Sequence, residues 1–152
     1  LLYALRPPPS HGPALPDGGR TGRATVHAAD IAGHPLQAEI EGVLRVGIRS
    51  LRLSPGGAFR PDEPVDRAWF AMLLDELIVR ITGGDAAVQY AGDRSLFPDV
   101  GTDAPYYAAA VRMTSRGIME TGNRLTGGFV PHRPVAGADA LLMLRKVREE
   151  LR

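Results

Sequence analysis

The chain has 152 residues, with 18 Lys and Arg against 17 Asp and Glu, so the formal net charge is +1. That length allows one ordinary domain or two small repeat units and excludes a large multidomain enzyme; the near-neutral charge lacks the footprint of a dedicated nucleic-acid binder. Hydrophobic residues at 44% and charged residues at 23% fit a globular protein, and the absence of cysteine removes disulfide scaffolds, Cys zinc sites and thiol catalysis.

Residues 1–28 stand apart. Pro7, Pro8, Pro9, Pro13 and Pro16 lie among Gly, Ser and His. Proline blocks helical and ladder hydrogen bonds, so the segment is expected to be an extended linker or strap. The chain opens on Leu1 with no charged segment leading into an apolar stretch. A processed or partial chain is expected, with any targeting segment outside it. No apolar run approaches the roughly 20 residues of a membrane span.

From Asp30 onward the sequence repeats itself. A constant offset of 70 residues places Gly47-Ile48 on Gly117-Ile118, Gly57 on Gly127 and Phe59 on Phe129. The same offset places Pro61 on Pro131, Pro64-Val65 on Pro134-Val135, and Leu74 on Leu144. Asp30-Ile31 matches Asp99-Val100 after a one-residue slip. Two units follow, 29–82 and 97–152, joined by a Gly-bearing loop over 83–96 in which a short helical piece is expected around Ala86 to Tyr90.

Each unit reads as helix, loop, helix. Leu36, Ile40, Val43, Leu44 and Ile48 recur at helical spacing, as do Tyr107, Ala110, Val111, Thr114 and Ile118. Pro35 and Pro105 are placed in the first turn, where proline is tolerated. Gly47 and Gly117 are expected to end these helices through positive φ. Asp66 is the expected N-cap of the second helix in the first copy. Phe70, Leu73, Leu74, Leu77 and Ile78 form its apolar face; Leu141, Leu142, Leu144 and Val147 are the expected counterpart. The fold class is therefore all-α. Helix pairs this short share a core by stacking on their neighbours.

The stretch Ala58-Phe59-Arg60-Pro61-Asp62-Glu63-Pro64-Val65-Asp66-Arg67-Ala68-Trp69-Phe70-Ala71, with Leu96-Phe97-Pro98-Asp99-Val100 through Gly117-Ile118, resembles the S-layer homology (SLH) repeat. The resemblance spans about four-fifths of the chain. It implies two tandem SLH-like repeats behind the proline-rich strap, and a non-enzymatic module of the cell envelope outside the cytoplasm. Such a module anchors a larger protein to cell-wall polysaccharide or peptidoglycan. It also implies that an Arg opening the second helix grips a ligand carboxylate, which suits a helix N-terminus and a bidentate guanidinium. The family motif Thr-Arg-Ala-Glu is Asp66-Arg67-Ala68-Trp69 in copy one and Ala136-Gly137-Ala138-Asp139 in copy two, which lacks the Arg.

The expected glycan-carboxylate site is Arg67 with Asp66, Trp69, Arg52 and Gly57, beside copy one, with copy two mainly structural. Arg67 either holds a saccharide carboxylate or pairs with Asp62, Glu63 or Asp66. Trp69 either stacks on a sugar or fills an interface between repeats, and Tyr106-Tyr107 pose the same choice. His11, His27, His34 and His132 have no metal spacing, so no metal or cofactor is expected. No serine has an elbow context and no glycine pair leads into a phosphate loop, so no catalysis is expected. The competing expectation is a docking or scaffold subunit of an envelope assembly.

Overall fold

A computed structural model of the chain describes residues 28–51, 53–84 and 94–152. The strap up to residue 27, Arg52 and the helical piece expected around Ala86 to Tyr90 lie outside the described residues, while Ala28 is buried in the core. Among the described residues there are four α-helices, α1 (Gln37–Val46), α2 (Arg67–Thr82), α3 (Tyr107–Ser115) and α4 (Gly137–Glu150), with a 3-10 turn at Arg49–Leu51. Among the described residues there is no strand, only two isolated bridges, Asp66 with Pro134 and Asn123 with Gly128. The fold is all-α.

The 70-residue offset reappears as geometry. Gly47 and Gly117 take φ of 70° and 66°, and each donates its N–H back into the preceding helix, to Leu44 O and Thr114 O at 3.0 Å. Positive φ there suits glycine, which has no Cβ to clash. Asp30 accepts from the N–H groups of Phe59 and Arg60, both at 2.7 Å. Asp99 accepts from Phe129 and Val130 at 2.8 and 2.7 Å. Each carboxylate pins the loop before the second helix where Arg60 and Val130 take positive φ of 59° and 54°. A side chain there is strained, most of all a β-branched one, and two charge-assisted bonds oppose that strain. The one-residue slip at Asp30 and Asp99 is the offset at which both clamps close.

Asp66 caps α2 as expected, its Oδ1 accepting from Trp69 N at 2.8 Å. Ala136 precedes α4 with no side-chain cap. Pro35 and Pro105 fall just before their helices instead of inside the first turn. His34 O accepts from Gln37 N at 3.0 Å and Ala104 O from Tyr107 N at 2.9 Å. Each proline thus occupies the second position of a four-residue turn, which its fixed φ favours.

The core does not divide at the repeat boundary. The larger cluster joins Phe70, Leu74 and Ile78 of α2 to Tyr107, Val111 and Met113 of α3, with Ile118, Phe129 and Val147. The smaller one holds Ala28, Ile31, Ile40 and Leu44, flanked by Leu53 and Phe59. The principal helical partner of α2 is α3, from the other copy. Asp75 and Arg112 form a bidentate ion pair across that contact, Nε to Oδ1 at 2.6 Å and a second bond from Nη2 to Oδ2. The α4 face differs from expectation. Leu141, Leu142 and Leu144 are exposed, and the core side of the helix is Ala140, Met143 and Val147. Both stripes are apolar, so periodicity alone does not choose between them.

Glu76 ties α2 to the 3-10 turn. It accepts from Arg49 N at 2.7 Å, Ser50 N at 2.9 Å and Ser50 Oγ at 3.0 Å. Partial burial pushes its pKa up, but those donors and the Arg49 charge outweigh it and hold the carboxyl below its ordinary 4.5. A folded-state pKa below the unfolded one adds stability above the unfolded value, and that stability is lost as pH falls through the folded value. Urea midpoints should therefore drop below about pH 4.5. Glu76→Gln should start less stable at pH 6 and converge on the wild type by about pH 3. Parallel curves for the two proteins across that range would contradict this role.

Candidate functional site

Two grooves divide the residues singled out from the sequence. Asp66 and Trp69 line one of about 510 Å³, with Ser50, Ser54 and Phe59. Arg67 is the next residue along the chain from Asp66, but it lies on the other side. It lines a groove of about 570 Å³ with Arg124, Arg133, Asp139 and Lys146. Asp66 is the extended N-cap, and two helical steps of about 100° each separate Arg67 from Trp69. Gly57 takes φ of 78° and its carbonyl accepts from Ala29 N at 3.0 Å, which makes it a turn residue. Arg52 lies outside the described residues.

Arg67 is 4% exposed. Its Nε donates to Phe129 O at 2.8 Å and its Nη2 to Glu120 O at 2.5 Å. The guanidinium carbon lies 4.8 Å from the centre of the Phe129 ring, a cation–π distance. These bonds go to copy two, and none goes to Asp62, Glu63 or Asp66. The backbone follows the same course: Arg67 N donates to Arg133 O at 3.1 Å and Ala68 N to Pro131 O at 2.9 Å. The side chain expected beside copy one therefore forms the floor of a groove whose walls belong to copy two.

The charges of this groove are not balanced. Arg67 and the exposed Arg133 and Lys146 all donate to neutral carbonyls, Arg133 to Gly122 O at 2.7 Å and Lys146 to Gly117 O at 2.8 Å. Arg124 pairs with Glu120, and Asp139 supplies the second acid of the lining. Burial, then the Arg133 charge, push the Arg67 guanidinium's pKa down from its ordinary value, with Asp139 and Asp99 acting in the opposite sense. A residual positive field at a concave surface is suited to an anion.

Trp69 lies half-buried where the first groove meets a third, of about 1030 Å³, between α2 and α3. Tyr107 is buried in the core with its hydroxyl accepting from Leu96 N at 3.2 Å. Tyr106 meets the His132 ring edge-on, with centroids 6.2 Å apart. Among the described residues no group of three His, Asp or Glu could hold a metal ion, and no helix is long and apolar enough to cross a membrane.

Sequence reasoning missed Arg133, Arg124 and Lys146. Each is a surface cation in a linear reading, and Lys146 reads as part of a solvated terminal helix. Only the docking of α2 into copy two brings them beside Arg67. Comparison with known proteins finds no matching family model, no matching curated protein and no matching solved structure.

Proposed function

We propose that this chain is a non-enzymatic module of the cell envelope, SLH-like in its repeats, that holds an acidic cell-wall glycan outside the cytoplasm. The supporting observation is the groove between the copies. Arg67 is fixed at its floor, and Arg133 and Lys146 stand at its edge bonded only to carbonyls. A saccharide carboxylate or ketal acid in that groove would gain charge-assisted hydrogen bonds, and a guanidinium can offer two at once. The first groove, with Trp69, gives an aromatic face of the kind that stacks on sugar rings.

The test spares Arg67, whose loss would disturb folding. Retention on purified peptidoglycan sacculi carrying their wall polymer is measured for the wild type and for Arg133→Ala with Lys146→Ala. The double variant should bind at least about tenfold more weakly, the equivalent of about 1.4 kcal/mol. Wild-type retention should also fall as salt rises from about 0.05 to 0.5 M, because exposed charges are screened. No retention of the wild type, or equal retention of the two proteins, would sink this reading. The exposed leucines of α4 support a second role, as a scaffold subunit that docks another protein.

A further inference from the structure

We infer that the chain carries two complementary faces, one on α4 and one on α1, through which a second copy of itself docks head to tail. The inference rests on the scaffold reading and is independent of glycan binding.

The contact that joins the copies sets the pattern. On α2, Ala71 and Leu74 are fully buried and Asp75 is 8% exposed. Asp75 meets Arg112 of α3 there, and Ala71 and Leu74 lie in the core to which α3 contributes. On the α3 side, Pro105, Ala108, Ala109 and Arg112 border the same junction.

The 70-residue offset carries each half of that contact to the other end of the molecule. Ala71, Leu74 and Asp75 become Leu141, Leu144 and Arg145 on α4. Leu141 and Leu144 are 60% and 40% exposed, and Leu142 beside them 53%. Ala109, Arg112 and Met113 become Glu39, Gly42 and Val43 on α1, and Arg116 becomes Val46. Val43 and Val46 are 39% and 57% exposed, with Leu36 at 54% on the same side. Each face is one half of an interface whose other half lies on a different helix, α1 for the α4 face and α4 for the α1 face.

The charges agree with this pairing. Inside the molecule the acid is on the second helix and the base on the first, Asp75 with Arg112. At the open faces the signs are exchanged: Arg145 stands in place of Asp75, and Glu39 lies one turn before the position of Arg112. Opposite charges would again meet, with polarity reversed. A stack of repeats that ends at its own boundary carries a polar outer face, whereas both ends here are apolar. A patch bound to a different patch is a heterologous contact, so copies add in one direction and either close a ring or continue.

One-sided variants of the full chain test this by size-exclusion chromatography with light scattering. The wild type should gain mass with concentration. Leu141→Glu with Leu144→Glu blocks one face, Val43→Glu with Val46→Glu the other, and each protein alone should run as a monomer. Mixed in equal amounts, they should form a one-to-one dimer and nothing larger, because each retains the face the other lacks. Glu39→Arg should weaken wild-type association about tenfold or more, and adding Arg145→Glu should restore it. A wild type that stays monomeric up to about 1 mM would overturn self-docking and leave these faces to another partner. Association persisting in either blocked variant would overturn the head-to-tail geometry while leaving a scaffold role intact.

Discussion

Replacing Arg67 with alanine is expected to cost about 3–5 kcal/mol, a large part of the stability of a domain this size. The buried Phe129 O and the partly buried Glu120 O would lose their donor, and the Phe129 ring would lose the guanidinium above it. An orphaned buried acceptor costs about 1–3 kcal/mol because water is not there to replace the donor. Arg67→Lys keeps the charge but not the planar fork, so it should recover only part of the loss. Thermal and urea melts of the three proteins measure this. An alanine variant within about 0.5 kcal/mol of the wild type would show that the carbonyls are satisfied in some other way.

The second large effect concerns the ion pair between α2 and α3. Asp75→Ala should destabilise by about 1.5–3 kcal/mol, because the Arg112 guanidinium loses two charge-assisted bonds at a mostly buried contact. Each side chain of the pair is only 12% exposed. The more informative protein is the double replacement, Asp75→Leu with Arg112→Met. Removing both charges removes both desolvation costs, and apolar side chains of similar size fill the contact. The double variant should lie within about 1 kcal/mol of the wild type, well above either single change. If the double variant loses as much as the two singles combined, the pair acts through something other than mutual compensation.

The helix ends and the cap of α2 were legible because they are written in residue types with narrow uses. Gly47 and Gly117 end helices, Asp66 caps one, and the prolines mark where helices cannot yet begin. Those roles depend on a few neighbouring atoms, so the chain spells them out locally. Arg67 was legible as a residue with a special place at a helix start, but not as a donor to Phe129 O and Glu120 O. Its partners lie 62 and 53 residues away and are backbone atoms, which any sequence would supply. The inward face of α4 was misread for a related reason. Leu141, Leu142 and Leu144 outweigh Ala140 and Met143 in apolar surface, yet burial is decided by what lies opposite. The cations of the groove were invisible because no spacing rule links Arg67 to Arg133 or Lys146.

The helix that sequence similarity assigns to the first repeat has its buried side in the core of the second. Ala28, Ile31, Ile40 and Leu44 are left as a satellite, while α2 completes the cluster around Phe129 and Met113. The unit that the internal sequence match marks out and the unit that packs together are therefore offset by one helix. A cut between α2 and α3 would follow the duplication and still tear the main core in two. A cut just before α2 would leave both clusters whole and sever only ties between them, such as those of Glu76 to Arg49 and Ser50 and of Arg80 to Val46 O. Shuffling such units as interchangeable bricks would fail at the seam, because the second finishes its interior with a helix borrowed from the first.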